Sequence, residues 1–366
     1  MITSQISSQP SSELQGLVDV LTWRQASTAP AHWRTSYEEM LEQRLLSIAD
    51  ENEEALSIVE ALAFLPRPHQ LAFLRAPLVA SRLLGYRDGA PLDAGPIVKS
   101  LMAELVAAAI DCDLIEPAWT VLGDRCVDPS QGGDPVATQT RIPGTTIAID
   151  KAGPIDFSVG SLRPLEHPTE PQWVAIEPKL TDAARELAAA SRPAFDFWQD
   201  CIDVIALRTF AQPGVSITSV ALRYNARVTL LVNAYAADVD STKLADLLLH
   251  EAIHSLLFMW EETSGHFVPN KAAREEVKII SPWSGHSLKL SAFVHGCLVW
   301  YGVYWFWKIA SERKSSPVQK SRELMQAARM GFDKKPVSTL LSDHARHLSD
   351  EIAALLAAIE ARIREE

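Results

Sequence analysis

The sequence predicts an α+β protein, predominantly α-helical, with a small antiparallel sheet packed near a helix that carries an H-E-x-x-H motif. Three observations lead there. Residues 13–112 and 311–366 repeat apolar positions at three- and four-residue spacing, the period of an amphipathic helix. Residues 113–177 are rich in Gly and Pro and hold short β-prone runs. A hairpin-like unit of β-branched residues stands directly before the motif.

In chain order, residues 1–12, "MITSQISSQPSS", are polar and read as a flexible tail. They have neither the basic start nor the apolar centre of a signal peptide. Residues 13–112 form a helical region; "SYEEMLEQRLLSIAD", "NEEALSIVEALAFL" and "GPIVKSLMAELVAAAIDC" carry its stripes. A metal-binding domain is expected over 113–366, unless the chain runs on as one continuous globular unit. Its β-containing segment is 113–177, with strands at "TTIAIDK", "IDFSVG" and "QWVAIE". Its core is about 179–310, and helices close it over 311–366. Within the core, 179–211 reads as helical, including "RPAFDFWQDCIDVIALRTF". The hairpin "GVSITSVALRYNARVTLLVNAY" follows, turning at "YNAR". Asp240 or Ser241 is the expected N-cap of the motif helix. The stretch Ala292–Ala310 is very apolar, but His295, Gly296 and three Trp interrupt it, so it reads as a buried core helix. The final amphipathic helix, "SDEIAALLAAIEARIREE", is suited to closing the core or pairing two copies as a homodimer.

Composition narrows the function. The net charge is −12, which argues against a nucleic-acid binder, because that role needs a concentrated basic surface. No apolar run is long enough to span a bilayer, so no membrane partner is expected. The four cysteines are widely spaced, with no C-x-x-C, which suits reduced thiols in a cytoplasmic protein.

"LLLHEAIHSLLFMW" runs from Leu247 to Trp260. On a helix, residues four apart share a face, so His250 and His254 can offer two imidazoles to one metal. Glu251 is rotated about 100° from His250, which makes it a base or a supporting group rather than a necessary ligand. A third ligand must come from elsewhere. His266, His286 and His295 follow the motif, and Glu275 is a carboxylate rival. The metzincin spacing fails, because Leu257 and Trp260 stand where Gly and His are needed. Glu275 lies near the gluzincin distance, but "NKAAREEVKIISPW" is a short helix at best, with solvated acids. His286 and His295 are about 900° apart on a continuous helix and face opposite ways, so both serve only if the helix starts after His286. His295 is the expected third ligand and His286 the runner-up.

The ordered series "VTLLVN", "DVD", "LADLLLHEAIHSLL", "PWSG" and "FVHGCLVWYGVYWFWK" resembles the HExxH-motif peptide-modification family. Its members are iron(II)- and 2-oxoglutarate-dependent peptide β-hydroxylases of pathways that modify ribosomally made peptides. The resembling elements cover about residues 214 to 310, and the stretch before "HG" is longer here and adds His286.

The resemblance implies His250, His254 and His295 as iron ligands, with Glu251 as a supporting group. It implies Fe(II) and 2-oxoglutarate as cofactors, with O2 and a peptide or amino-acid-derived substrate as partners. The far carboxylate of 2-oxoglutarate needs a cation, for which Arg223, Arg227 and Lys289 are the candidates. Two other readings stand beside this one. The first is a zinc metallohydrolase or peptidase in which Glu251 is the general base. The second is a non-catalytic binding module that keeps the motif.

Overall fold

The computed structural model describes residues 11–87, 89–131, 141–150, 165–210 and 218–366. It is α+β and mostly helical. The chain divides into two compact units that interleave in sequence. One holds 32–184 and 199–259; the other holds 1–31, 185–198 and 260–366.

The first unit is built on a four-stranded sheet. Its order is Ala148–Asp150, Val204–Arg208, Asn225–Val232, Thr218–Leu222. The first three strands are parallel, and Thr218–Leu222 pairs antiparallel at the edge. The sheet is therefore mixed rather than antiparallel. The difference comes from Val204–Arg208, which sits in a stretch the periodicity assigns to helix. All five of its residues are buried. A short apolar run of that kind has no polar face, so spacing alone cannot separate a buried strand from a buried helix. Ala148, Val204, Ala206, Val228, Leu230 and Val232 form one apolar cluster of the sheet.

A second expected strand is also helical. "QWVAIE" lies inside the helix Glu170–Ala190. Trp173, Ile176, Leu180, Ala183 and Leu187 are buried at three- and four-residue intervals, so the longer window carries the true period. The expected strand "IDFSVG" and most of the "QGGDP" loop lie outside the described residues.

Helices dominate the rest of this unit, as expected for the region before 113. They are Ala29–Ala49, Glu53–Leu62, Arg67–Arg75, Pro77–Arg87 and Gly95–Ala107. Asn52 caps Glu53–Leu62 by accepting from the Ala55 backbone N–H. Pro77–Arg87 packs on the strand Asn225–Val232.

The second unit centres on the helix Leu290–Arg313, which packs against Val318–Lys334 and Asp350–Arg364. Fifteen of its residues are buried, from Leu290 to Ala310. No described helix is long and apolar enough to cross a membrane. A hairpin of Lys278–Ile280 and Ser287–Lys289 precedes it. Gly285, with φ 72°, supplies the left-handed turn residue. The Trp283 indole stacks on Trp300 and donates to the Ala328 carbonyl at 2.8 Å.

Candidate metal centre

The motif lies on the helix Ser241–Ser264. Asp240 is its N-cap, accepting from the Lys243 backbone N–H at 2.9 Å. Leu244, Leu248, Leu249, Ile253, Leu256 and Leu257 are each at most 1% exposed. Each such side chain contributes about 1.5–3 kcal/mol of transfer free energy, which anchors the helix whatever the motif does. Lys243, Leu247, His250, His254 and Phe258 remain only partly buried, at helical spacing. The two histidines thus lie on the one stripe of this helix with access. Their ring centroids are 5.1 Å apart, and Phe258 stacks under His254 at 6.1 Å.

Glu251 points elsewhere. It is 3% exposed and reaches the edge strand Thr218–Leu222. The Ser219 hydroxyl donates to its Oε1 at 2.6 Å, and the Ala221 backbone N–H also donates to the carboxylate. Burial pushes the Glu251 carboxyl above its ordinary range, against the opposing pull of His250 and the two donors. Glu251 therefore ties the motif helix to a sheet edge that would otherwise leave an N–H unmet.

The candidate clamps have different fates. Arg227 is fully buried in a left-handed backbone position, φ 75°, within the strand Asn225–Val232. Its guanidinium donates to both Asp203 oxygens, at 2.6 and 2.9 Å, and to the Asp200 carbonyl. Arg75 joins the same carboxylate and also pairs with Glu38. Arg227 is thus committed to a structural ion network, which argues against a role in holding 2-oxoglutarate. Arg223 lies on the two-residue turn of the hairpin and is partly exposed. With Arg227 committed to its ion network, Arg223 is the remaining candidate cation in the unit that carries His250 and His254. Lys289 is exposed at the start of Leu290–Arg313, in the other unit.

The third-ligand candidates all lie in that other unit. His286 is exposed on the hairpin turn, because the long helix begins only at Leu290. Glu275 is exposed on the short helix Lys271–Glu276. His295 is 3% exposed inside the long helix. Its Nε2 stands 3.3 Å from Glu261 Oε2, and Phe267 meets its ring edge-on at 5.6 Å. His266 Nδ1 stands 3.8 Å from the same Glu261 oxygen.

Two imidazole donors one turn apart on an accessible stripe suit a divalent metal. Among the described residues, no group of three or more His, Cys, Asp or Glu side chains is arranged to hold an ion. Two polar residues, Ser219 and Glu261, escaped the sequence reading. Strand alternation says which face Ser219 takes but not what it meets. Glu261 was within reach of it: it is eleven residues from His250 and seven from His254, so all three fall within about 40° around one helix. No protein-family model matches the chain, and no curated protein is significantly similar to it.

Proposed function

We propose that the protein is an iron(II)- and 2-oxoglutarate-dependent oxygenase. It hydroxylates a Cβ of a peptide or amino-acid-derived substrate. The observation that carries this reading is the division of labour in the motif. His250 and His254 share the accessible stripe, while Glu251 is turned into a buried hydrogen-bonded seat on Ser219 and Ala221. A hydrolase needs its glutamate free to take a proton from metal-bound water. An oxygenase needs ligands and open positions instead.

Iron(II) with 2-oxoglutarate and O2 would supply the oxidising equivalents for hydroxylation. His250 and His254 would bind the metal, with His295 as the third ligand implied by the resemblance. Glu251 would hold the motif helix in register with the edge strand, and so hold both rings in place. Arg223 is the cation that would pair with the far carboxylate of 2-oxoglutarate.

A zinc hydrolase is the second reading. It is favoured by the raised carboxyl of Glu251 beside His250, since a base tuned upward is what such an enzyme uses. Anaerobic addition of iron(II) and 2-oxoglutarate separates the two. A weak visible charge-transfer band, followed by oxygen- and substrate-dependent succinate formation, is the result expected of the oxygenase. Peptide cleavage sustained by zinc alone, and abolished by Glu251→Gln, would overturn it.

A further inference from the structure

A glycine inside a helix costs stability, because it loses the most backbone freedom on folding and has no side chain to pack. Gly16 is such a residue, at the middle of the helix Ser12–Val20. A Cβ built on it would meet nothing within 4 Å, so packing does not require it to be small. It borders a cavity of about 610 Å³ that lies wholly in the second unit. Tyr301 and Trp305, one turn apart on the helix Leu290–Arg313, form the aromatic wall. The loop 21–28 and the end of the helix Asp350–Arg364 border the rest.

The loop is locked in place. Trp23 is buried with a left-handed backbone, φ 56°, which a bulky residue adopts only under constraint. Its indole N–H donates to the Gly302 carbonyl at 2.7 Å, and the Ser191 hydroxyl donates to the Trp23 carbonyl at 3.2 Å. The next residue, Arg24, lies over the Trp305 ring, 4.6 Å from its centroid. Glu366 stands 3.6 Å from the Arg24 guanidinium, beyond hydrogen-bond reach, and also pairs with Lys308. A guanidinium held over a ring by contact keeps donors for an acceptor. The cavity has negative groups as well. Asp19 is already met by Arg362, at 3.2 Å. Glu365 is exposed on the rim, and Val20 and Glu365 stand at the negative ends of two helices.

A cation and an anion beside an aromatic wall match a small molecule that carries both charges and an apolar group. We propose that this cavity binds a free amino acid with a large apolar side chain. Its carboxylate pairs with Arg24, its ammonium is met by Glu365, and its side chain lies against Tyr301 and Trp305. The proposal does not rest on the metal reading, since His250 and His254 belong to the other unit.

The test is isothermal titration calorimetry of the full chain with L-phenylalanine, L-leucine and L-methionine, and with two blocked forms of each. The N-acetyl form lacks the ammonium, and the amide lacks the carboxylate. At least one of the three amino acids should bind once per chain, and its blocked forms about 10-fold more weakly. Arg24→Ala should weaken the amino acid by about 10-fold and leave the amide unchanged. Glu365→Gln should weaken it by about 3-fold, because an exposed charge is partly screened. Gly16→Leu puts a better helix former into the open space; it should abolish binding while the melting temperature holds or rises. Arg24 is exposed, so Arg24→Ala serves even if Gly16→Leu does not fold. The proposal is overturned if none of the three binds at millimolar concentration, or if both blocked forms bind as tightly as the amino acid. It is also overturned if Arg24→Ala binds the amino acid as wild type does.

Discussion

The Ser219 hydroxyl donates to Glu251 Oε1 at 2.6 Å, which ties the edge strand to the motif helix. Ser219→Ala removes one donor from a buried acceptor and should cost about 1–2 kcal/mol, read as a lower denaturant midpoint at unchanged slope. Glu251→Gln keeps an acceptor for Ser219 and should fold. If the proposed oxygenase reading holds, with Glu251 as a supporting group rather than the base, this substitution should lower turnover by about 10- to 100-fold without emptying the metal site. Complete loss of activity at full metal content would instead assign Glu251 to the chemistry.

Arg227 pairs with Asp203 inside the first unit, and its removal leaves that carboxylate with Arg75 alone. Arg227→Ala should destabilise the fold by about 3–5 kcal/mol, measured by chemical denaturation. Arg227→Lys should lower stability as well, because one ammonium cannot reproduce a two-pronged contact. A clamp role predicts something different: an unchanged melting temperature with a raised KM for 2-oxoglutarate.

The same network sets an acid limit. Burial alone would push Asp203 up, but Arg227 and Arg75 outweigh it and bring the carboxyl down to about 2. In the unfolded chain the value is about 3.9. The folded carboxyl is the weaker proton binder, so its stabilisation is complete above the unfolded value and is lost as pH falls toward about 2. The span corresponds to about 2.6 kcal/mol in all. Denaturation at about pH 6 and about pH 3 should show wild type losing about 1 kcal/mol more than Asp203→Asn, because the rest of the span is lost only below about pH 3. Equal losses would remove Asp203 from the account.

Gly331 lies under the Trp283 indole. A Cβ built there would come within 2.1 Å of the ring. Gly331→Ala must displace Trp283 from its stack on Trp300 and from the Ala328 carbonyl. The expected cost is about 1–3 kcal/mol, with a change in tryptophan fluorescence of the folded state. An unaltered melting temperature would contradict this packing.

Several of these features were legible in the amino-acid order. The motif helix was legible from its spacing and its Asp240 cap, and the buried helix around His295 from the length of its apolar run. Val204–Arg208 was not legible, because a five-residue run buried on both faces has no period to read. "QWVAIE" misled because six residues suit a strand, while the 21-residue helix around them holds the real stripe. Arg227 looked like a turn cation; its left-handed backbone, which the sequence does not announce, is associated with a side chain buried on Asp203. At the candidate centre, helix spacing brings His250 and His254 together and sets Glu261 on the same face, whereas what Ser219 and Glu261 meet depends on tertiary neighbours.

The most direct measurement is the iron content of the purified chain reconstituted anaerobically, for wild type, His250→Ala and His254→Ala. The account predicts about one iron per wild-type chain and loss of it in each variant, since two imidazoles of a three-residue set cannot be spared. Iron bound equally well by all three proteins would contradict a metal centre built on His250 and His254.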